Sequence, residues 1–395
     1  MQQDSSYCHL FLNSNPWFSA VSDYSLQLCL FLQKKEKILY CAEVGSTHMD
    51  KKCAELNIPF THIPIHNQSG YNFFISFFSI ISILIKNRNT LKFIWVFEGR
   101  EHTLCCILKI ILPFIFRNIK IVRVRGQAQR VSNNIFSKFV YNKLTDKIIL
   151  AAKCVKNRFG FELNNKKTII QHYCKDTLFS NDEIKKYSFN ENFPVISKNK
   201  LVFLLIGRFD EVKGHKNILN SFLNADLKID SQLILLGYKA NLNINKIYSH
   251  YLEKFGQGKF IENLYFLENR ECNKQVFIVE NKINDLSHLL AVTSFGVIPS
   301  LESEVICRVG VEFLQSSVPT IYSSAGALGE VFRDFPEFNF KAGNEVELTK
   351  LLEKSASIFL NTTNYLNLKK KTYDVGSNKY SLKEFSTIYE FINSQ

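Results

Sequence analysis

Several features that define other protein classes are scarce or absent in this sequence. Its 395 residues include only 8 prolines and 16 glycines, which argues against a collagen-like or linker-rich architecture. The ten cysteines are scattered, with no Cys-x-x-Cys pair and no Cys/His spacing typical of metal ligands. This distribution indicates reduced thiols in a cytosolic protein rather than disulfides or a zinc site.

The sequence also lacks a signal peptide and a long apolar run. Its amino terminus has no basic segment followed by an apolar stretch. The longest apolar run, residues 73–85, spans about 13 residues and contains three serines, whereas a membrane-spanning helix needs roughly 20 residues. A second run, residues 104–116, is interrupted by Lys109 and Pro113. No transmembrane segment is predicted.

What is present is a globular composition, with 46% hydrophobic and 22% charged residues, in a chain long enough for two domains. The net charge of +13 is distributed unevenly. Residues 1–198 carry the whole excess, and residues 199–395 contain equal numbers of basic and acidic side chains. Such asymmetry indicates an anionic partner for the first half, either a lipid surface or a nucleic acid.

Apolar runs of strand length alternate with helical patterns along the chain, which predicts β/α units and parallel sheets. The predicted strands of the first half are residues 7–13, 37–42, 60–64, 93–97, 119–124 and 147–151. Those of the second half are residues 201–206, 232–236, 275–279, 295–298 and 319–322.

The alternation predicts an α/β fold with two Rossmann-like, doubly wound β/α/β domains facing a central cleft. The first domain is expected over residues 1–180 and the second over 200–378. Residues 181–199 are polar and mixed, which is typical of a linker. Residues 379–395 are expected to contain a closing helix.

Two carboxylates stand out in the predicted strand–helix–strand unit of residues 297–322. Glu304 is expected at the entrance of the helix and Glu312 about two turns further in. Eight steps of ~100° leave the two side chains within ~80° of each other, so both can address one ligand. The alternative is an ordinary buried α/β unit with two solvated glutamates.

The start of the same helix is expected to favour a phosphate group. Its first N–H groups, those of Val305, Ile306 and Cys307, would have no partner within the helix, and the helix dipole favours negative charge there.

A second cluster follows the predicted strand 201–206. Arg208 projects at the end of this strand, directly after Gly207, and Lys213-Gly214 follows five residues later at the entry of the next helix. Arginine offers a planar fork of donors and lysine a mobile point charge, a pairing suited to a diphosphate. Since carboxylates suit sugar hydroxyls, the two clusters together describe a site for a nucleotide-diphosphate sugar.

Three segments of the second half resemble family-4 glycosyltransferases, retaining GT-B enzymes of the bacterial group 1 type. The segments are Gly207–His215, Pro299-Ser300-x3-Glu304-x7-Glu312 and Val318-Pro319-Thr-Ile. The resemblance covers nearly the whole chain. It implies that the first domain binds the acceptor, that the second binds the donor, and that the closing helix crosses back to the first domain.

The resemblance also implies a role for individual residues. It assigns Arg208, Lys213 and Glu304 to catalysis: the two cations would hold the donor diphosphate, and Glu304 would lie against the donor sugar. Glu312 would bind the ribose, and the nucleobase would lie near Glu280. The residues that it assigns to donor binding are Gly207, Glu280, Asn281, Ser303, Val305, Ile306, Cys307 and Glu312.

The chain departs from the family pattern on both sides of the expected cleft. Val305 and Cys307 stand where the family usually has glycines. In the first half, Asn13–Trp17 replaces a Gly-Gly loop, and Arg123–Gly126 replaces a frequent acceptor-side histidine.

Acceptor binding is assigned to Glu98, Arg100 and Arg125. Residues 98–101 are expected to form the loop after the strand 93–97, and Arg125 is expected in the loop after the next strand. Surface loop charges without a role are the alternative for each. His9, near the first strand, is expected to be a packed histidine rather than a base.

The two Phe- and Ile-rich helices of the first half also allow two interpretations. With the adjacent Lys86, Arg88, Lys109 and Arg117 they could dock on an anionic inner leaflet. Alternatively, both are core helices of the Rossmann layers.

The expected function is retaining transfer of a sugar from a nucleotide-diphosphate sugar to a glycan or glycolipid acceptor. Lipopolysaccharide, capsule and similar cell-envelope precursors are the acceptors considered. The protein is expected in the cytoplasm, with a peripheral position on the inner face of the cell membrane as an option. No Asp-x-Asp motif occurs, so neither a metal nor another cofactor is expected. The nucleotide-sugar donor and the acceptor are the expected partners.

Several alternatives stay open at this point. A sugar-nucleotide epimerase or a glycosyl phosphorylase could use the same fold. A basic nucleic-acid-binding protein and a catalytically inactive partner subunit are the alternatives from other classes.

Overall fold

The computed structural model describes residues 8–66, 70–176, 200–261, 264–269, 271–280, 286–302 and 304–394. The chain divides into two compact units, Met1–Lys175 with Leu382–Gln395 and Asp176–Ser381. Each unit contains one sheet, flanked by helices. The predicted linker and the predicted donor residues Asn281 and Ser303 lie outside the described residues.

The first unit is built on a sheet of seven parallel strands in the order β3-β2-β1-β4-β5-β6-β7. The strands are β1 His9–Asn13, β2 Ile38–Ala42, β3 Phe60–His62, β4 Phe93–Val96, β5 Lys120–Arg125, β6 Lys147–Leu150 and β7 Thr168–Ile170. Six of the seven were predicted. The seventh, β7, was missed because a three-residue run between polar segments gives little periodic signal.

The helices of this unit connect successive strands. They are α1 Ala20–Leu32, α2 Thr47–Glu55, α3 Gly70–Lys86, α4 Gly99–Ile111, α5 Ile135–Phe139 with a π-helical continuation Val140–Leu144, and α6 Lys153–Lys156. No helix in the described part of the chain is both long and apolar enough to cross a membrane.

The start of α4 corrects the prediction that residues 98–101 form a loop. Glu98 is the N-cap, and the helix begins at Gly99. The Glu101 carboxylate accepts the N–H groups of Glu98 at 2.5 Å and Phe97 at 3.2 Å. A glutamate three residues after the N-cap satisfies N–H groups that would otherwise lack partners, so it starts the helix one turn earlier than the apolar pattern indicates.

The strand order fixes on which face of the sheet each helix lies. The chain moves in one direction from β1 to β3, and in the other from β3 through β4, β5 and β6 to β7. Because such crossovers are almost always right-handed, α1 and α2 lie on one face and α3, α4 and α5 on the other.

The end of the chain belongs to the same unit. A 3-10 turn, Leu382–Phe385, leads into the last helix, Ser386–Asn393. The ring of Phe385 packs 5.5 Å from that of Tyr24 in α1, and the Lys120 ammonium donates to the carbonyl of Ile392 at 3.3 Å.

The second unit is built on a sheet of eight strands in the order β10-β11-β12-β9-β8-β13-β14-β15. They are β8 Leu201–Ile206, β9 Ser231–Gly237, β10 Gln257–Ile261, β11 Leu264–Asn269, β12 Lys274–Glu280, β13 Phe295–Ile298, β14 Thr320–Ser323 and β15 Asn339–Phe340. Strands β10, β11 and β12 pair antiparallel, and the remaining pairs are parallel. The β10–β11 hairpin was not predicted, because its alternation of polar and apolar residues was interpreted as a polar segment.

The helices of the second unit again connect the strands. They are α7 His215–Asn224, α8 Ile244–Phe255, α9 Ser287–Val292, α10 Arg308–Gln315, α11 Leu328–Val331, α12 Glu345–Leu360 and α13 Thr362–Lys379. The strand order reverses between β8 and β13, and in open α/β sheets ligands bind outside the carboxyl ends of the strands at such a reversal.

Backbone contacts join the loops that follow β8 and β13. The Leu301 N–H donates to the carbonyl of Val212 at 2.8 Å. Gly214 adopts φ 72°, and a Cβ at this position would lie 2.9 Å from the carbonyl carbon of Pro299 and closer still to its oxygen. Glycine is therefore required here both for its backbone conformation and for space.

Gly214→Ala is expected to destabilise the second unit by about 2–4 kcal/mol. The alanine would be strained in the left-handed backbone conformation, and its Cβ would collide with the backbone of Pro299. Urea unfolding followed by circular dichroism measures the change in the free energy of unfolding. Gly256→Ala is the matched control: Gly256 has φ 83° with open space around it, so only the strain of about 1 kcal/mol is expected. Equal losses in the two variants would show that the contact with Pro299 does not matter.

Candidate functional site

The carboxyl edge of the second sheet collects most of the predicted donor residues. The loop after β8 contains Gly207, Arg208 and Lys213, and the loop after β13 contains Ser300 and Glu304. Both loops leave the sheet where the strand order reverses. The structure therefore places residues almost a hundred positions apart in sequence at one edge.

Lys213 and Glu304 are in direct contact. The ammonium of Lys213 donates to Oε1 of Glu304, and the hydroxyl of Ser300 donates to the same oxygen at 2.8 Å. The side chains of Lys213 and Glu304 are 24% and 16% exposed. A partly exposed pair contributes roughly 1 kcal/mol or less to folding, so its main effect is to hold a cation and a carboxylate side by side.

Arg208 has a different partner. Its Nη2 lies 2.8 Å from Oδ2 of Asp210, and its side chain is 51% exposed. Asp210 is nearly buried and also accepts the N–H of Val212 at 3.3 Å. The carboxylate is thus held by the backbone, and the exposed guanidinium keeps donors available for a ligand.

The predicted helix entrance at Val305–Cys307 was wrong, because α10 begins only at Arg308. Cys307 is its N-cap with φ 49°, a left-handed conformation that interrupts the helical path. Val305 and Ile306 lie in the loop before it, where the side chain of Ile306 is buried.

The loop from Glu304 to Ile306 is held at its start by Gly326 and Ala327, which contact the backbone of Glu304. The N–H of Ala327 donates to the carbonyl of Glu304 at 2.6 Å. Gly326 adopts φ 58°, and a Cβ there would lie 2.8 Å from the carbonyl carbon of Glu304. The turn before α11 thus packs against the backbone of the residue that carries the predicted catalytic carboxylate.

The other predicted donor residues lie near the same edge. Glu312 is buried in α10, and its Oε1 lies 4.0 Å from Nε of Arg308. Glu280 ends β12 and is paired in register with Gly237, the last residue of β9. The carboxyl ends of β12, β9 and β8 are adjacent, which puts Glu280 two strands away from Gly207.

His215 is a buried titratable residue two positions after Lys213. Its ring packs 4.9 Å from that of Phe209, and the residue is 2% exposed. Burial lowers the pKa of His215 to about 4, with a smaller contribution from the nearby charge of Lys213. The ring is therefore neutral at physiological pH.

A second polar cluster lies at the carboxyl edge of the first sheet, where the strand order reverses between β1 and β4. The Ser14 hydroxyl, just after β1, donates to Oε2 of Glu101 at 2.5 Å. The Gln127 amide donates to Oε2 of Glu98 at 2.9 Å. Burial, together with the neighbouring Glu101 carboxylate, raises the pKa of Glu98.

Arg100 and an exposed tryptophan lie beside this cluster. Nη1 of Arg100 donates to the carbonyl of His66, and the ring of Trp17 lies edge-on to that of His66, with centroids 6.3 Å apart. Trp17 is 67% exposed. An exposed indole beside carboxylate and guanidinium groups has the chemistry of a sugar-binding surface.

Arg125 was expected in a loop but lies in β5 and is buried. Its Nη2 donates to the carbonyl of Gln129 at 2.5 Å, and its guanidinium lies 5.4 Å from the centre of the Phe159 ring. These protein partners hold the chain that follows β5, and a role of Arg125 in acceptor binding stays a prediction. The strand extends to this position because its alternation of valine and arginine suits a strand.

His9 is packed, as expected. Its ring stacks on Phe93 at 5.2 Å, and its Nδ1 accepts the indole N–H of Trp95 at 3.0 Å. Among the described residues no three His, Cys, Asp or Glu side chains are grouped so that they could hold a metal ion, and no two of the ten cysteines form a disulfide.

Residues 188–372 match the model of the family described as glycosyl transferases group 1. This match covers 185 of the chain's 395 residues. No curated protein sequence is significantly similar to it.

Solved structures of glycosyltransferases resemble this chain over its length. A glycosyltransferase from Rickettsia africae has 16% identity and a TM-score of 0.76, covering 98% of this chain and 100% of its own. Anabaena HepE in complex with UDP and glucose has 14% identity and a TM-score of 0.73, with the same coverage. WaaG, a glycosyltransferase involved in lipopolysaccharide biosynthesis, has 10% identity and a TM-score of 0.59, with the same coverage again. This chain has two α/β units whose sheets contain mainly parallel strands. Together with these similarities, this architecture shows the GT-B fold.

Several residues at the two sheet edges were given no role from the sequence. Asp210 and Ser300 orient Arg208 and Glu304, and Ser14 and Gln127 bind the two carboxylates of the first unit. All four stand within a few residues of a strand's carboxyl end. That position was the available signal, but it does not tell which strand ends meet.

The second unit is expected to lose stability as the pH falls from about 6.5 towards 4. The pKa of His215 is lowered in the folded state, so this side chain binds a proton more tightly in the unfolded chain. The stability that the neutral, buried His215 contributes is therefore fully present only above its unfolded pKa of about 6.5. The loss from this group is on the order of 3 kcal/mol.

Urea unfolding of His215→Leu at several pH values tests this expectation. The variant is expected to lose less stability between pH 6.5 and 4 than the unmodified protein. His250→Leu, at an exposed histidine of the same unit, is the control and should follow the unmodified protein. A His215→Leu profile parallel to that of the unmodified protein would contradict the assignment.

Proposed function

We propose that this protein is a retaining glycosyltransferase that moves a sugar from a nucleotide-diphosphate sugar to a glycan or glycolipid acceptor. The observation that carries the proposal is the contact between Lys213 and Glu304, with Arg208 in the same loop as Lys213, at the switch point of the second sheet. A uridine diphosphate sugar is the first donor to test, because the structurally similar HepE was solved with UDP and glucose.

In the proposed reaction the acceptor hydroxyl attacks the anomeric carbon from the face that the diphosphate leaves. The bond between this carbon and the diphosphate oxygen breaks while the new glycosidic bond forms. The hydroxyl proton passes to the departing diphosphate, so the configuration at the anomeric carbon is retained. The protein contributes by positioning the reactants and stabilising the negative charge that develops on the diphosphate.

The second unit supplies the groups for these tasks. Arg208 and Lys213 are the cations that bind the diphosphate, and Glu304 accepts hydrogen bonds from the donor sugar. Glu312, buried in α10, binds the ribose, and Glu280 lies towards the nucleobase. Because two cations are available for the developing charge, we propose that transfer requires no metal ion or other cofactor.

The first unit binds the acceptor in this proposal. Support comes from the polar cluster at its sheet edge, where the raised pKa of Glu98 and the exposed Trp17 suit a sugar hydroxyl and a sugar face respectively. Arg100 is suited to an anionic group on the acceptor. A glycolipid precursor of the cell envelope is the proposed acceptor class, and the inner face of the cell membrane is its proposed location.

UDP at 100 times its Kd is expected to stabilise the protein by roughly 2.7 kcal/mol, which raises the melting temperature by roughly 5–10 °C. The same shift is expected in the presence of EDTA. Differential scanning fluorimetry with UDP, GDP and other nucleoside diphosphates measures it. Lys213→Gln should abolish the shift, whereas Lys216→Gln, at an exposed lysine paired with Glu211, should retain it. No shift with any nucleoside diphosphate would refute the donor site.

Arg208→Ala is expected to reduce sugar transfer by on the order of 10²-fold or more, because the developing charge on the diphosphate loses a positioned donor. The rate of UDP release from UDP-glucose, with water or an added sugar as acceptor, measures the effect. The exposed Arg333 provides the control variant, Arg333→Ala, which should turn over normally. Normal kinetics in Arg208→Ala would remove Arg208 from the mechanism.

A further inference from the structure

Gln127 joins the loop after β5 to the start of α4. Its Nε2 donates to the carbonyl of Phe97 at 2.6 Å and to Oε2 of Glu98 at 2.9 Å. Its Oε1 accepts a hydrogen bond from Nη2 of Arg123 at 3.2 Å. A guanidinium only donates hydrogen bonds, so the oxygen of the amide must face Arg123 and its NH2 group must face Glu98. Arg123 thus fixes the orientation of the Gln127 amide.

Arg123 is itself held firmly in place. It is fully buried in β5, and its Nη1 donates to the carbonyl of Val96 at 3.2 Å and to that of Glu98 at 2.9 Å. These two oxygens and that of Gln127 are all neutral. A buried charge is costly unless it is paired or well hydrogen-bonded. The amide of Gln127 links this buried charge to the carboxyl group of Glu98.

Glu98 lies where the strand order of the first sheet reverses, between β1 and β4. It follows β4 directly, whereas Asn15 follows β1 and Gln127 follows β5. The amides of Asn15 and Gln127 both donate to its carboxyl group. The connections after three adjacent strands therefore converge on this one side chain.

The charges around Glu98 oppose one another. Burial, and then the neighbouring carboxylate of Glu101, raise the pKa of Glu98, while the charge of Arg123 and the hydrogen bonds from the two amides act against this rise. Arg125, two positions further along β5, also interacts electrostatically with Glu98. The protonation of Glu98 therefore depends on the hydrogen bond that Gln127 supplies.

The two protonation states of Glu98 would bind a sugar differently. A carboxylate only accepts hydrogen bonds, whereas the neutral acid also donates one. A hydroxyl group that donates to a carboxylate makes a charge-assisted bond, roughly twice as strong as a neutral one. Groups that keep Glu98 ionised therefore strengthen its contact with a hydroxyl group.

We propose that Gln127 is a positioning residue, which holds Glu98 as an oriented carboxylate for a hydroxyl group of the sugar acceptor. Arg123 acts behind it by fixing the amide. If Gln127 only tied two loops together, its bond to the carbonyl of Phe97 would suffice and Glu98 would not depend on it. This inference deepens the proposed function and rests on it for the identity of the ligand.

Titration of Glu98 in the full chain, without donor or acceptor, tests the contact. Carbon-13 NMR of protein labelled at the glutamate Cδ follows each carboxyl group, and the signal that disappears in Glu98→Gln identifies Glu98. Gln127→Met keeps a side chain of similar length but donates no hydrogen bond, so the pKa of Glu98 should rise above that in the unmodified protein. Gln127→Glu keeps an oxygen for Arg123 but adds a like charge, so the rise should be larger.

Gln171→Met is the matched control. Gln171 is a half-buried glutamine of the same unit, and its amide donates to the carbonyl of His172 at 3.4 Å. Its replacement should leave the pKa of Glu98 unchanged. An unchanged pKa of Glu98 in both Gln127 variants would reduce Gln127 to a link between two loops and overturn the proposal.

Octyl β-glucoside, below its micelle concentration and at neutral pH, is the acceptor probe. It should shift the Glu98 signal of the unmodified protein and bind to Gln127→Met on the order of 10-fold more weakly. Equal binding to both proteins, or an unmoved signal in the unmodified protein, would overturn the role of Glu98 in hydroxyl binding. The UDP-induced melting shift of the same variants reports the donor site separately, so its absence would count against the proposed function and not against the contact between Gln127 and Glu98.

Discussion

The close approach of two backbone segments, residues 207–214 and 299–302, is the constraint on which the proposed donor site depends. Gly214 allows it, since its left-handed conformation and missing Cβ let the turn before α7 lie against the carbonyl of Pro299. The hydrogen bond from Leu301 to Val212 fixes the same contact. Lys213 and Glu304 can pair only because their backbones are held this close. A cation and a carboxylate on long side chains would otherwise give no defined geometry.

Around this contact the polar groups are arranged in two layers. The side chains of Arg208, Lys213 and Glu304 are partly exposed. Asp210 pairs with Arg208, Ser300 donates to Glu304, and the turn containing Gly326 packs against the backbone of Glu304. Such an arrangement orients charges before a ligand arrives, which reduces the reorganisation needed when charge develops on a leaving diphosphate. The raised pKa of Glu98 shows that burial acts at the edge of the first sheet as well.

Helix α3 shows why an apolar sequence does not by itself define a core. Its residues would suit a core helix of a Rossmann layer, and that was one of two interpretations of the sequence. The structure encloses only one stripe, because α3 connects the edge strand β3 with β4 and lies at the surface of a seven-stranded sheet. Helix α3 therefore buries one stripe and exposes the other. The length and composition of an apolar run cannot decide this point, since burial depends on what lies over the helix.

The sequence alone determined the α/β class and most strands, and it named the residues of the proposed donor cluster. Strands buried on both faces give continuous apolar runs, and cations or carboxylates directly after them are visible without a structure. Tertiary structure decided which strand ends meet, that Arg125 is buried in β5, and that α10 begins at Arg308 after the left-handed Cys307. The start of α4 at Gly99 likewise became apparent only from the hydrogen bond that the Glu101 carboxylate accepts from the N–H of Glu98. These features depend on contacts between distant segments or on single backbone angles, which periodicity does not record.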